Sequence, residues 1–157
     1  MTIGTVRVND TQPISLRSTS LGQNSKSRGS RNMLAEKVAI ITGGGRGLGR
    51  ALARAFVEHG WIVVGVARRT DSLLETEALV ASDRFSGHVA DVANYAEIEA
   101  VAKHCIDGHG RIDVLFNNAA VYPKVNFLEE RPDIWVRAID VNVNGVANCC
   151  KAVLPLM

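Results

Sequence analysis

The sequence predicts an α/β protein with a doubly wound parallel sheet, and two features of residues 35–157 support this prediction. Short segments rich in Val, Ile and Leu alternate with helix-length amphipathic segments, which is the pattern of repeated βαβ units. A cluster of glycines lies between the first apolar segment and the first helix. The composition, with 46% hydrophobic and 22% charged residues among 157, is typical of one globular domain.

Four apolar segments are predicted to be the strands of this sheet. Their density of Val, Ile and Leu predicts burial on both faces, as in sheets covered by helices on each side. Because crossovers between parallel strands are right-handed, the expected strand order is 3-2-1-4. The predicted strands are residues 37–42, 61–67, 84–90 and 112–116.

Helices are predicted in the segments between and after these strands. The first, residues 48–59, has apolar residues at spacings of three and four and is followed by Gly60, a typical helix-ending residue. The next two are residues 71–82 and 94–109. The last is a single long apolar helix from residue 131 to about 156.

Residues 1–34 form a basic tail in which five Lys and Arg residues face the single acid Asp10, a net charge of +4. The tail has little apolar patterning, so we expect it to be disordered. A dispensable tail, or a true translation start at Met33, is favoured over an organellar transit peptide. The remaining residues, 35–157, have a net charge of −2, which argues against nucleic-acid binding.

The cysteine and histidine residues indicate neither a disulfide framework nor a metal site. Three cysteines make an odd number with one adjacent pair, so a reducing, cytoplasmic location is expected. The four histidines lack zinc-ligand spacing, and we expect no metal. No apolar run approaches the roughly 18 residues of a membrane-spanning helix.

The strongest chemical signal is the glycine-rich turn Thr42-Gly43-Gly44-Gly45-Arg46-Gly47-Leu48-Gly49. Glycines allow backbone N–H groups to approach a pyrophosphate and allow the helix to pack closely on the strand, as in Rossmann-type folds. The following helix N-terminus adds partial positive charge for the phosphates. No Gly-Lys-Ser/Thr follows, so the turn is not a P-loop.

With these residues the chain resembles the short-chain dehydrogenase/reductase family. The family signature T-G-x-x-x-G-x-G matches residues 42–49, and its N-N-A-G and N-V-x-G motifs correspond to residues 117–120 and 142–145. The resemblance implies that the Asp91-Val92 pair meets the adenine ring. The cofactor-binding residues that it implies are Gly43, Arg46, Gly47, Leu48, Gly49, Arg68, Asp91, Val92, Asn118, Ala119 and Ala120. Ala120 replaces the family glycine, which matters only if the backbone there needs a positive φ.

The residues after the second predicted strand favour NADP over NAD. An NAD enzyme of this architecture usually has Asp or Glu about 20 residues beyond the glycine turn, where it binds the ribose 2′-hydroxyl. This chain has Arg68 and Arg69 there. Arg68, together with Arg46 by analogy with NADP-using family members, is expected to bind the 2′-phosphate. The alternative is that Arg68 and Arg69 are simply solvated at the end of the strand.

The resemblance implies catalysis by Tyr, Lys, Ser and Asn, of which only Asn142 is present, as the residue that holds a proton-relay water. An asparagine in a helix can equally hydrogen-bond to the backbone. Neither Tyr95 nor Tyr122 has a lysine four residues later. We therefore expect an inactive N-terminal part of the domain, truncated before the catalytic Ser and Tyr-x-x-x-Lys.

An incomplete sheet of this kind would leave apolar surface uncovered. The fourth strand, residues 112–116, would become an open edge, and the last helix would expose a face bearing Trp135, Ile139, Val143, Val146 and Val153. We expect self-association through residues 131–157. The sequence therefore favours an oxidoreductase acting on a carbonyl or alcohol, and the alternative is a non-catalytic NADP-binding or dimerisation partner of a full-length relative.

Overall fold

The computed structural model describes residues 36–122 and 126–157, so the predictions for the tail at residues 1–34 lie outside the described residues. Four parallel strands form one sheet in the order β3-β2-β1-β4, as the sequence predicts. The strands are β1 Val38–Thr42, β2 Ile62–Ala67, β3 Phe85–Val89 and β4 Val114–Phe116. Each predicted strand is present, with ends trimmed by one or two residues.

The two faces of β1 belong to two different hydrophobic clusters. Val38 and Ile40 pack on one side with residues of the helices after β3 and β4. Ile41 packs on the other side with Ala53 and Leu73, which come from the helices after β1 and β2. Because successive strand residues point to opposite faces, a central strand covered by helices on both sides is apolar throughout.

Three helices connect the strands, α1 Gly47–Glu58, α2 Thr70–Val80 and α3 Tyr95–His109. The side chain of Asn94 caps the start of α3 by accepting hydrogen bonds from two backbone amides. Gly60, after α1, has φ +82°, as expected for the predicted glycine at a helix end. Local sequence signals therefore place these helix ends within one or two residues.

The prediction of one uninterrupted α-helix after β4 is wrong. The segment consists of α4 Pro132–Ile139, a π-helical turn Asp140–Asn144, α5 Gly145–Val153 and a 3₁₀ turn Leu154–Leu156. The π turn adds a residue to the helical ladder and so changes the phase of every side chain after it. The turn makes a tertiary contact: Asn142 within it hydrogen-bonds to the backbone of Val121.

Val153 is buried, with 1% of its surface exposed, so its placement on the exposed apolar face was wrong. It packs in the cluster between α3, α5 and the sheet, beside Val101 and Ile40. The other four predicted members of that face, Trp135, Ile139, Val143 and Val146, are between 37% and 55% exposed.

Strand β4 is half-buried along its three residues, whereas β1 is fully buried. Its only strand partner within the described residues is β1. The expectation of burial on both faces therefore fails for this strand, because a strand at the edge of a sheet lacks a second neighbour.

No helix within residues 36–122 and 126–157 is long and apolar enough to span a membrane. Over the same residues, no group of three or more His, Cys, Asp or Glu side chains is arranged to hold a metal ion.

Leu73 of α2 offers a test of this packing. Its side chain is fully buried against β2 and β3, whereas Leu74 beside it is 45% exposed. We expect Leu73→Ala to lower the free energy of unfolding by about 2–5 kcal/mol, because it leaves a cavity, and Leu74→Ala to change it by about 0.5 kcal/mol or less. Urea unfolding followed by circular dichroism measures both, and equal losses in the two variants would refute the packing.

Candidate functional site

A cleft of about 690 Å³ opens at the carboxyl ends of the strands, between the glycine turn and the segments that follow β2, β3 and β4. This is the edge where open α/β sheets bind ligands. Ten of the eleven residues predicted to bind a cofactor line it; Gly49, the eleventh, is buried directly behind it. The ten are Gly43, Arg46, Gly47, Leu48, Arg68, Asp91, Val92, Asn118, Ala119 and Ala120.

Close packing explains why glycine stands at the base of the turn. A Cβ atom on Gly49 would lie 2.1 Å from the carbonyl oxygen of Gly43 and 2.6 Å from the amide nitrogen of Asn118. No side chain fits in that space, so α1 can approach β1 only with glycine there. Gly47 is required for a different reason, since its φ of +52° is unfavourable for other residues.

The N-terminus of α1 carries no side-chain cap. Arg46 occupies the N-cap position without accepting a hydrogen bond from the first turn, in contrast to Asn94 at the start of α3. The first amide N–H groups of a helix have no partner within the helix, so those of α1 are available as donors at the cleft.

The outer side of the glycine turn is held by two residues that sequence analysis missed. Thr76 of α2 donates its hydroxyl hydrogen to the carbonyl oxygen of Gly44, at 3.1 Å, and is fully buried. Arg50 of α1 donates to the carbonyl oxygen of Gly45 and to the Thr76 hydroxyl. Because these carbonyl groups are engaged with α1 and α2, the turn has a fixed shape. The sequence contains no pattern that brings α2 to the turn, so only the fold identifies Thr76.

Thr42 joins the ends of β1 and β4. Its buried hydroxyl donates to the carbonyl oxygen of Phe116, at 3.1 Å, and accepts from the backbone N–H groups of Asn118 and Ala119, both at 3.0 Å. The Asn118 side chain in turn donates to the carbonyl oxygen of Thr42, at 2.9 Å. The segment after β4 is thereby fixed against the glycine turn. The Ala120 substitution is tolerated, because Ala81 is the sole non-glycine residue with a positive φ in the described ranges.

Four arginines lie along the cleft, and they differ in their partners. Arg50 and Arg69 are ion-paired with Glu75 and Asp71, respectively. The hydrogen bond from Arg69 lowers the pKa of Asp71 to about 2 and keeps that carboxylate ionised. Arg46 and Arg68 are exposed, and their guanidinium groups form no hydrogen bond or ion pair with any described residue. Two guanidinium groups are thus available to an anion at this end of the cleft.

Asp91 lines the far side of the cleft and is fixed by the protein at each of its polar atoms. One carboxylate oxygen accepts from the amide of Ala93, at 3.0 Å, and the other is ion-paired with Arg137 of α4. Its own N–H donates to the Glu97 side chain, at 2.7 Å. Arg137 was not predicted, because it lies 46 residues from Asp91 in the sequence.

Asn142, the predicted water-holding residue, does not line the cleft. Its side-chain amide accepts from the N–H of Val121 and donates to the same residue's carbonyl oxygen, both at 2.9 Å. Asn142 therefore hydrogen-bonds to the backbone, which was the alternative to its role in holding a water molecule. The two bonds tie the π turn to the segment after β4, because an amide group matches the donor and acceptor of one backbone residue.

The family model described as short chain dehydrogenase matches residues 37–157. An uncharacterized oxidoreductase of Staphylococcus saprophyticus is 39% identical over 80% of this chain and 51% of its own length. Short-chain dehydrogenase reductase 3c of Arabidopsis thaliana is 38% identical over 73% of this chain and 45% of its own. The chain therefore spans about half the length of these curated relatives.

A metagenomic short-chain oxidoreductase, solved in complex with NADP, superposes with a TM-score of 0.72 at 32% identity. The match covers 80% of this chain and 58% of the other. This similarity confirms a Rossmann-type α/β fold for the described residues.

Replacement of Gly49 tests the close contact at the base of the turn. In Gly49→Ala the new methyl group collides with the backbone of Gly43, so we expect a loss of at least about 2 kcal/mol of unfolding free energy. Gly108→Ala in α3 is the matched control: no atom lies within 4 Å of its added methyl group, and we expect it to stabilise the helix by about 0.5–1 kcal/mol. Thermal and urea unfolding compare the two, and a neutral Gly49→Ala would contradict this geometry.

Proposed function

The chain belongs to the short-chain dehydrogenase family, and we propose that it binds NADP in the cleft, as part of an oxidoreductase that transfers hydride between NADP(H) and a carbonyl or alcohol substrate. The observation that carries the choice of cofactor is the pair of unpartnered arginines, Arg46 and Arg68, beside the glycine turn. The solved relative bound to NADP supports it.

The cleft suits a dinucleotide in shape and in polarity. The pyrophosphate would lie against the N–H groups of the glycine turn and the first turn of α1, where donors and partial positive charge converge. The adenine would contact Asp91 and Val92, which stand across the cleft from that turn. The nicotinamide end would face residues 118–120, which Thr42 fixes in place. NADP, when bound, supplies or accepts the hydride.

The charges around β2 favour a 2′-phosphate over a 2′-hydroxyl. Asp71, a carboxylate of the cleft that follows β2, is already engaged by Arg69. The Arg68 guanidinium remains available, and a planar guanidinium binds a phosphate through two parallel hydrogen bonds. Because Asp71 is engaged and the Arg68 guanidinium is available, we expect the cleft to bind NADP more tightly than NAD.

We expect Arg68→Ala and Arg46→Ala each to weaken NADP binding by about tenfold and to leave NAD binding unchanged within about twofold, because each removes a charge-assisted bond to the 2′-phosphate alone. Calorimetric titration of the purified chain with both cofactors measures this.

Arg54→Ala serves as the control, since Arg54 lies on α1 in an exposed ion pair with Glu58 and does not line the cleft. It should alter neither affinity. Tighter binding of NAD than of NADP by the wild type, or equal effects of Arg54→Ala and Arg68→Ala, would defeat the proposal.

Hydride transfer also needs a general acid or base, and neither tyrosine of the sequence lines the cleft in the part of the chain that the structure describes. Tyr95 donates to the Glu99 carboxylate, at 3.0 Å, and this bond raises the pKa of Tyr95 above its usual value. Tyr122 is 86% exposed and has Asn126 four residues on. We therefore propose that the 157-residue chain is inactive alone, because neither tyrosine is followed by a lysine four residues later. Asn142 would then act by fixing the segment after β4.

The surface of the last helical segment favours a second candidate function. In this function the chain is a non-catalytic binding partner of a full-length relative or of a second copy. Apolar side chains recur there at intervals of three and four residues, and each is at least a third exposed. They are Trp135, Ile139, Val143 and Val146. We propose that this surface, together with the edge of β4, mediates self-association.

Sedimentation velocity tests the association. We expect the wild-type chain to sediment as a concentration-dependent oligomer, and Val143→Lys to shift it towards the monomer, because the charge would be buried in the contact. Leu79→Lys is the control, since Leu79 is 61% exposed on α2, away from this surface. A monodisperse wild-type monomer over the whole concentration range would exclude this function for the helix surface.

We also propose a cytoplasmic location. The three cysteines are free thiols, and Cys105 and Cys149 are buried, which suits a reducing compartment. Burial raises the pKa of both buried thiols to about 11, so neither reacts readily as a thiolate. Organellar import through residues 1–34 is the alternative.

A further inference from the structure

The last helical segment contacts the loop after β3 at three residues. Arg137 of α4 is ion-paired with Asp91, and both side chains are about one-third exposed or less. Asn148 of α5 donates to the carbonyl oxygen of Val92, at 3.0 Å. A Cβ atom on Gly145 would lie 2.6 Å from the Val92 side chain, so the helix packs directly on the loop. One contact from before the π turn and two from after it therefore converge on the adjacent residues Asp91 and Val92.

The ion pair determines which acceptor sites of Asp91 remain for a ligand. A carboxylate offers about four lone-pair sites. The Ala93 amide uses one site on one oxygen, and Arg137 uses one on the other. The carboxylate is thus held in a single orientation by two partners, and Asp91 lines the cleft, so we infer that its remaining acceptor sites are open to a ligand there. Without Arg137 the second oxygen loses its partner, and the carboxylate is free to rotate into solvent.

From this geometry we propose that Arg137 is a positioning residue for adenine recognition: it orients Asp91 so that the carboxylate accepts a hydrogen bond from the adenine amino group. This inference rests on the proposed function, because it assumes that a nicotinamide dinucleotide occupies the cleft. Arg137 does not line the cleft and acts through Asp91. Helix α4, which carries Trp135 and Ile139 of the exposed apolar surface, thereby also determines which base the cleft prefers.

The experiment compares NADP with its analogue in which hypoxanthine replaces adenine. The analogue presents a carbonyl oxygen where adenine presents an amino group, so a fixed carboxylate disfavours it. We expect the wild-type chain to bind NADP about tenfold more tightly than the analogue, and Arg137→Ala to reduce this ratio to about threefold or less. Arg137→Lys, which retains the charge, should recover part of the ratio. Calorimetric titration gives each dissociation constant.

Arg131→Ala is the matched control. Arg131 lies at the start of the same helix in an Arg–Asp pair with Asp133, but both side chains are more than 60% exposed and neither lines the cleft. It should leave the ratio unchanged. In Asp91→Asn the ratio should already be low, and adding Arg137→Ala should lower it no further, because the two residues act as one unit.

The outcomes separate this inference from the function on which it rests. If the wild type binds neither dinucleotide, the proposed function fails and the role of Arg137 fails with it. If the wild type binds NADP but Arg137→Ala weakens NADP and the analogue equally, Arg137 is merely structural and the inference alone is overturned. If Arg137→Ala does not fold, Arg137→Lys and Asp91→Asn decide: an unchanged ratio in both refutes the positioning role.

Discussion

The architecture of the cleft depends on one buried hydroxyl group. Thr42 ends the central strand, and its side chain bonds to three backbone groups of the chain leaving β4. Parallel strands adjacent in the sheet do not by themselves determine how their following loops meet. The hydroxyl supplies that connection. It also provides hydrogen-bond partners for backbone groups at the sheet edge that are shielded from water. The glycine turn and the segment after β4 consequently form two fixed walls of one cleft.

A recurring feature of this protein is that residues lining the cleft are held by residues of other elements, and Thr76, Arg137 and Asn142 among these do not line the cleft themselves. Thr76 and Arg50 engage the carbonyl groups of the glycine turn from α2 and α1. Arg137 engages Asp91 from α4, and Asn142 engages Val121 from the π turn. Because such contacts cross between elements that are distant in sequence, they make the cleft a property of the packed domain and not of any one loop.

The distribution of charge in the cleft underlies the proposed preference for a phosphate. Arg50 and Arg69 neutralise the acidic residues of α2 that would otherwise repel a phosphate. Among the residues that the structure describes, the guanidinium groups of Arg46 and Arg68 have no ion-pair partner. The presence of arginine in the sequence is therefore a weaker signal than the partners that each arginine has, since a paired guanidinium has already used the hydrogen bonds that a phosphate would need.

The sequence by itself determined the strands, their order, the glycine turn and ten of the 21 residues that line the cleft. These follow from local periodicity, from glycine positions that a close turn requires and from the motifs of the family that the chain resembles. It did not determine the break in the last helix, the burial of Val153, the half-burial of β4, or the supporting residues Thr76 and Arg137. Those depend on which side chains meet across elements. Only tertiary packing decides such contacts, since residues as far apart as Asp91 and Arg137 become neighbours through the fold and through no local pattern.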